Sequence, residues 1–311
     1  MESGWGSTKQ HIPVLQDGVL SYLQVHPDGI YLDCTLGLGG HASAVQKLLS
    51  AKGRLIGFDG DKEAVKHCRQ RLSPSCHLVH ASYETFHTHL AALGIHQVDG
   101  MLLDLGISSY QLDTPERGFS YRSDGPLDMR FDVTASTSAS DIVNGWSHQE
   151  LKKLFRDYGE ERRGAAISSA IVEARKKRRI ASTGQLAKII ESVVGTYASN
   201  KSLSRIFQSI RIVVNNELGT LKQFLEGSID YLSDGGRLVA ICYHSLEDRL
   251  VKQTFRRFEK GCICPSNFPV CQCGLTPSLK VLTKRVARPL KTEVESNPRA
   301  RSARLRAAEK I

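Results

Sequence analysis

Nowhere does the chain of 311 residues hold the ~18 consecutive apolar side chains that a membrane-spanning helix needs, so no span is expected. The first ten residues lack both an apolar signal core and an Arg-rich amphipathic pattern. No targeting segment is therefore read, and a cytoplasmic protein is expected. Without a secretory signal, a disulfide framework is not expected from the eight cysteines. Internal repeats are lacking as well. So is the apolar-poor composition of a disordered chain: hydrophobic residues make up 41% and charged residues 24%, enough for a sizeable core. The length fits one large domain or two ordinary ones.

What the sequence has is segregated charge. The net charge is +10, but residues 1–149 carry −5 and residues 212–248 carry −4. The positive charge is confined to residues 150–211, at +8, and residues 249–311, at +11. A single run such as Arg175-Lys176-Lys177-Arg178-Arg179 is ordinarily a solvated helix face. Two separate basic blocks on an otherwise acidic chain point instead to a polyphosphate partner, a nucleic acid.

Residues 30–104 alternate between strand and helix patterns. Strands are expected at residues 30–34, 54–58, 76–79 and 98–103, with helices at 42–49 and 62–72 between them. Strands separated by helix-length segments indicate a parallel sheet covered on both faces. Residues 113–134 are rich in Gly, Pro, Asp and Arg, and residues 138–200 read as helical throughout. Ser147 and Glu150 have capping-box spacing ahead of Leu151, Leu154 and Phe155. A helical insertion over 113–204 is expected within an α/β domain formed by 1–112 and 205–311. An apolar stripe from Ile206 to Leu225 reads as one long helix. Asp234-Gly235-Gly236 reads as a turn before a fifth strand at 237–243, followed by a helix at 246–258. One last strand is expected at 280–287. The Arg-rich end, residues 297–311, is expected to order only on a partner.

Gly37-Leu38-Gly39-Gly40-His41 joins the first strand to the first helix. Glycine supplies positive φ and lets a ligand approach the backbone, and N–H groups at a helix start would face that ligand. Nineteen residues after Gly40, Asp59 ends the second strand, where a carboxylate can accept both hydroxyls of an adenosine ribose. Asp104 ends the fourth strand on the same sheet edge. Two cofactors fit this pattern, a nicotinamide dinucleotide and S-adenosylmethionine. The first requires a second domain with a site for hydride chemistry, and none is evident. The second requires functional residues just after the fourth strand, where Leu105-Gly106-Ile107-Ser108-Ser109 lies.

The run Asp33-Cys34-Thr35-Leu36-Gly37-Leu38-Gly39-Gly40-His41 resembles the cofactor loop of the bacterial small-subunit ribosomal RNA cytosine-N4 methyltransferases, the MraW or RsmH family. Further motifs follow in that family's order: residues 102–109 with Gln111-Leu112-Asp113, then Arg117-Gly118-Phe119-Ser120, Asp124-Gly125-Pro126-Leu127-Asp128-Met129-Arg130, Tyr158-Gly159-Glu160-Glu161-Arg162, Phe207-Gln208-Ser209-Ile210-Arg211, His244-Ser245-Leu246-Glu247-Asp248-Arg249 and Asn297-Pro298-Arg299-Ala300-Arg301-Ser302. The likeness begins at His11-Ile12-Pro13-Val14-Leu15 and runs almost to the end.

The resemblance implies a class I, Rossmann-like methyltransferase domain with an inserted all-helical domain for RNA recognition. It implies methyl transfer from S-adenosylmethionine to N4 of cytosine 1402, in the decoding centre of 16S ribosomal RNA, either free or in the small ribosomal subunit. By position, the cofactor would be held by Gly39, Gly40, His41, Asp59, Tyr83, Asp104 and Gln111. Tyr83 stands where the family often has phenylalanine, Tyr110 where proline is common, and Cys242-Tyr243 where Ser-Phe is common. Candidate catalytic residues are Asp104, as acceptor for the cytosine amine, and His244. Arg117, Arg130 and Arg249 fit either RNA phosphates or local carboxylates such as Asp124, Asp128 and Asp248. Cys262, Cys264, Cys271 and Cys273, two C-x-C pairs within 262–273, are candidate ligands of a structural zinc ion, with a metal-free thiol loop as the other reading. The competing functions are a DNA amino-methyltransferase, a dehydrogenase and a non-catalytic RNA-binding protein. The Pro-Pro-aromatic tetrad of the first is missing after the fourth strand, and the intact glycine loop and Asp59 argue against the last.

Overall fold

The computed structural model describes residues 12–195, 199–265, 270 and 272–311. In chain order the elements are α1 (Gln16–Leu23), β1 (Ile30–Asp33), α2 (Gly40–Gln46), β2 (Arg54–Asp59), α3 (Lys62–Arg71), β3 (His77–His80), α4 (Phe86–Ala92), β4 (Val98–Asp104), α5 (Ser109–Asp113), α6 (Ala139–Gly145), α7 (His148–Asp157), α8 (Gly164–Lys177), α9 (Thr183–Val194), α10 (Ser199–Val214), α11 (Glu217–Gly227), β5 (Leu232–Cys242), α12 (Ser245–Lys260), β6 (Leu279–Val281), α13 (Lys291–Ser296) and β7 (Arg304–Lys310). No helix among the described residues is long and apolar enough to cross a membrane.

The chain forms two compact units. The first combines the residues up to Gly106 with Gly219–Ile311, and the second is Ile107–Leu218. The second is wider than the 113–204 read from the sequence.

The first unit is a seven-stranded sheet of order β3-β2-β1-β4-β5-β7-β6. Strands β1 to β5 run parallel, and β7 pairs antiparallel with both β5 and β6. This is the mostly parallel, Rossmann-like sheet that the sequence led us to expect. Its strands are apolar at successive residues because both faces are buried, and alternate side chains feed two cores. Leu32, Ile56, Met101, Leu103, Leu238 and Ala240 join one, with Phe86 of α4, Phe224 of α11 and Phe255 of α12. Tyr31, Leu55, Leu102, Val239, Ile241 and Leu305 join the other, with Val19 of α1, Val45 of α2 and Val65 of α3.

The second unit packs α6 to α10 around its own core, including Ile142, Leu154, Phe155, Ile167, Leu186 and Ile206. Ser138 with Asp141 and Ser147 with Glu150 form capping boxes at α6 and α7, the second as expected. The helical pattern is realised as the separate helices α6 to α9, with α10 starting at Ser199.

Four expectations change. The stripe from Ile206 to Leu225 is two helices, because Asn216 takes a left-handed φ of 48° and Asn215 bonds Phe131 N and Met129 O. The Asp234-Gly235-Gly236 segment is part of β5, as an irregularity between the Val98 and Gly100 pairings, with Gly235 at φ 78°. Strand β6 covers only Leu279–Val281. Residues 297–311 belong to the first unit's sheet rather than to a tail: a 3-10 turn over Pro298–Ser302 leads into β7. Two of the arginines there are paired internally. Arg306 Nε donates to Asp248 Oδ1 at 2.6 Å and Arg304 Nη1 to Oδ2 at 3.2 Å, which ties β7 to the first turn of α12.

Candidate functional site

Four parallel strands end along one edge of the first unit. Asp33 closes β1, Asp59 closes β2, Asp104 closes β4, and Tyr243 follows the end of β5. Register brings two of these ends level, since Asp104 pairs with Ile241. Open α/β sheets bind ligands at such an edge.

The loop after β1 is shaped largely by the protein itself. Gly39, at φ 74°, precedes α2, and a Cβ there would lie 2.9 Å from Cys68 Sγ. A Cβ on Gly40 would lie 2.5 Å from Pro13 Cγ. Glycine is thus demanded at both positions by the chain's own packing. Asp59 ties this loop to β2. Its Oδ2 accepts from Gly37 N at 2.8 Å and its Oδ1 from Asp61 N at 2.8 Å. Each oxygen keeps further lone-pair capacity. Burial raises the Asp59 carboxyl to about 6, against the two backbone donors that lower it.

Asp104 is the centre of a partly buried polar cluster. Its backbone N–H donates to Thr35 Oγ1 at 2.6 Å. Its Oδ1 accepts from the Tyr243 hydroxyl at 2.9 Å, and its Oδ2 lies 3.5 Å from His41 Nε2. Burial, then the Asp104 carboxylate, pushes the Tyr243 phenol far up, so it stays a donor at every working pH. His41 is 6% exposed, and neither ring nitrogen has a hydrogen-bond partner among the described residues. Burial lowers its basicity most of any single effect, but Asp104, Asp33 and Glu293 together outweigh it and the net shift is upward. Asp33 is 2% exposed, with Oδ1 accepting from Thr35 N at 3.1 Å and Oδ2 without a partner. Burial raises its carboxyl to about 6. Unpaired buried polar atoms are costly, and several converging at one sheet edge suit a polar ligand.

Tyr83 lies in a 3-10 turn after β3, its ring edge-on to Phe224 with centroids 5.4 Å apart. Gln111 belongs to the second unit, where it is buried as the third residue of a capping box: Oε1 accepts from Ser108 N at 3.0 Å and its N–H donates to Ser108 Oγ at 3.2 Å. His244 caps α12. Its Nδ1 accepts from Glu247 N at 3.3 Å, and Nε2 faces Glu247 Oε1 at 3.1 Å without hydrogen-bond geometry.

The candidate phosphate-binding arginines are largely used inside the fold. Arg117 donates to the Arg130 and Phe131 carbonyls, and Arg130 pairs with Asp128 at 2.6 Å. Arg249, the third candidate, also has a partner within the fold. Three of the four clustered thiols, Cys262, Cys264 and Cys273, lie within 4.8 Å of one another. Cys271, like His11 of the N-terminal motif, lies outside the described residues.

The sequence reading named neither Asp33 nor Thr35 as site residues and treated Tyr243 only as a departure from the family pattern. Asp33 was findable, since it ends its strand as Asp59 and Asp104 end theirs. The contacts of Thr35 and Tyr243 with Asp104 span 69 and 139 residues, and no local pattern signals them.

Comparison with known proteins bears directly on this site. Residues 8–311 match the model of the MraW methylase family. Three curated relatives named ribosomal RNA small subunit methyltransferase H match over nearly their whole length. The protein from Clostridioides difficile is 43% identical, covering 97% of this chain and 99% of that one. The one from Symbiobacterium thermophilum is 46% identical, covering 97% and 96%. The one from Syntrophus aciditrophicus is 47% identical, covering 98% and 99%. With a family match across the whole sheet, the glycine loop and the acidic edge, this chain belongs to the MraW methylase family.

Proposed function

We propose that this protein transfers a methyl group from S-adenosylmethionine to N4 of a cytosine in small-subunit ribosomal RNA, cytosine 1402 of 16S RNA by family position. The observation that carries the reading is the cluster of Asp33, His41, Asp104 and Tyr243 at the carboxyl ends of the strands, where buried polar atoms lack partners. The relatives named for small-subunit ribosomal RNA methylation support the substrate class.

In this reading Asp59 accepts the ribose hydroxyls with the lone pairs its backbone donors leave open. Tyr83, braced by Phe224, offers its ring to adenine. Gly39, Gly40 and His41 line the rest of the cofactor site. Bound S-adenosylmethionine supplies a methyl already activated on a sulfonium centre. The chain therefore has mainly to orient and desolvate the reactants. The N4 lone pair of cytosine is delocalised into its ring and is a poor nucleophile. Asp104 accepts a hydrogen bond from the amine, which favours a pyramidal nitrogen, and Tyr243 and His41 hold the carboxylate in place. The target base has to leave its stack to reach this edge. His244 is assigned to holding the first turn of α12. The inserted unit, with its excess of basic residues, is assigned to RNA recognition.

Cys262, Cys264 and Cys273 form a donor set that suits zinc, with thiolate ligands at mutual distances compatible with one ion. The ion's role would be structural.

The decisive experiment is mapping N4-methylcytidine in small-subunit ribosomal RNA from cells with and without this protein, alongside calorimetry with S-adenosylmethionine and S-adenosylhomocysteine. Loss of the mark with the protein, and heat from both compounds, are expected. An unchanged mark, or no heat from either compound with folded protein, overturns the reading. Asp104→Ala isolates one role: full methylation with normal cofactor affinity would remove the acceptor assignment.

A further inference from the structure

A cavity of about 250 Å³ lies on the first unit between α12 and the strands β6 and β7. It is lined by Lys252, Phe255, Arg256 and Glu259 of α12, Val281 of β6, Thr283 and Lys284 just after it, and Arg306 of β7. The α12 residues recur at helical spacing and so share one face. The lining holds four cations and one carboxylate. That carboxylate is engaged, since Glu259 Oε1 accepts from Val281 N at 3.0 Å. The Thr283 hydroxyl is also satisfied, accepting from Ala307 N at 2.9 Å. Arg306 shares Asp248 with Arg304, so two guanidinium groups face a single carboxylate. Lys252, Arg256 and Lys284 have no ion pair or hydrogen bond among the described residues.

Three unpartnered cations around one cavity form an anion site. Its surroundings favour a polyanion over a single small anion. Residues 279–288 carry Lys280, Lys284, Arg285 and Arg288 with no acidic residue among them. This segment leaves β6 toward the reaction edge. Ala287 bridges to Leu305, Leu305 pairs with Ile241, and Ile241 pairs with Asp104. Three strand spacings at ~4.8 Å put the Ala287 backbone, three residues beyond Lys284, about 14 Å from the Asp104 backbone.

We infer that Lys252, Arg256 and Lys284 grip backbone phosphates of the RNA strand beside the target cytosine. The inference rests on the RNA methyltransferase reading above and adds a docking site on the methyltransferase unit itself. The test compares the Lys252→Gln/Arg256→Gln/Lys284→Gln variant with a control that loses equal charge elsewhere on the unit, Lys47→Gln/Lys52→Gln/Lys222→Gln. Binding of a decoding-centre ribosomal RNA fragment is measured across a salt series, with melting temperature and S-adenosylhomocysteine binding confirming the fold. The pocket variant should bind about tenfold more weakly, and its slope of log affinity against log salt should be shallower by about two, the release expected for three single-strand phosphate contacts. The control should stay close to wild type. A pocket variant indistinguishable from the control overturns the inference while leaving the methyltransferase reading intact. Saturable binding of inorganic phosphate that the pocket variant loses, with RNA affinity unchanged, assigns a small-anion site and also overturns it. Wild-type protein that neither binds nor methylates ribosomal RNA removes both.

Discussion

The Tyr243 hydroxyl donates to Oδ1 of Asp104 across 2.9 Å, joining the residue after β5 to the last residue of β4. The same carboxylate meets His41 through its other oxygen. The phenol thus holds Oδ1, while Oδ2 keeps lone-pair capacity for a further donor. Phenylalanine, common at this position in the family, would leave one oxygen without that partner.

Tyr243→Phe tests this bond. A hydrogen bond to a charged acceptor contributes about 1.5–3 kcal/mol. If about half of that serves orientation, methyl transfer falls roughly three- to tenfold. Cofactor affinity should change less than turnover. A fall in melting temperature with turnover unchanged would give Tyr243 a purely structural role.

Asp33 makes the stability of the protein depend on pH. Its folded carboxyl titrates at about 6, above the ordinary 3.8, because burial penalises the charge. The native state therefore holds an extra proton between pH 4 and 6, and stability from this group declines as pH rises through that window. Asp33→Asn removes the titration while keeping the shape. Urea unfolding should find the variant more stable than wild type at pH 7.5 by up to about 3 kcal/mol, with the gap narrowing at pH 4.5. A gap independent of pH would contradict the buried charge.

Asp248 anchors β7 through Arg304 and Arg306. Burial raises its carboxyl, but the two guanidinium groups outweigh burial and hold it below the usual range. This contribution is present at neutral pH and fades as acid protonates the group. Asp248→Asn should cost about 3 kcal/mol by stranding two partly buried cations. In the wild-type protein without RNA, amides of residues 304–310 should resist hydrogen exchange. Rapid exchange there would mean that β7 forms only on a partner.

Removal of metal tests the thiol cluster. Protein purified without added zinc should contain about one equivalent by elemental analysis, and Cys262→Ser should lose it. Chelation should lower the melting temperature without changing cofactor binding. Metal-free protein of equal stability would leave the cysteines as a reduced thiol loop.

The parallel half of the sheet was legible because β1, β2, β4 and β5 are apolar runs ending in an acid or at a turn. The glycine loop and Asp59 were legible for the same local reason. Strand β7 was not, because Arg304 and Arg306 give it the look of a solvated tail, and only the fold supplies Asp248. The break at Asn215 and Asn216 was hidden because the apolar stripe continues through it in phase, while Asn215 finds its partners in residues 129 and 131. At the site, the strand-end carboxylates could be read from sequence. The cap formed by His244 and the Tyr243 bond to Asp104 depend on tertiary contacts that residue type alone does not announce.

The position of β7 between β5 and β6 has a consequence for biosynthesis. On a ribosome making this chain, β6 emerges before β7, its one strand partner among the described residues, and β5 waits with one flank bare until residues 304–310 have left the exit tunnel. Closure of the sheet therefore comes after translation of every other strand. It depends on contacts distant along the chain, which are slow to form. A nascent chain halted before residue 304 should remain a client of chaperones, with its acidic edge only half supported.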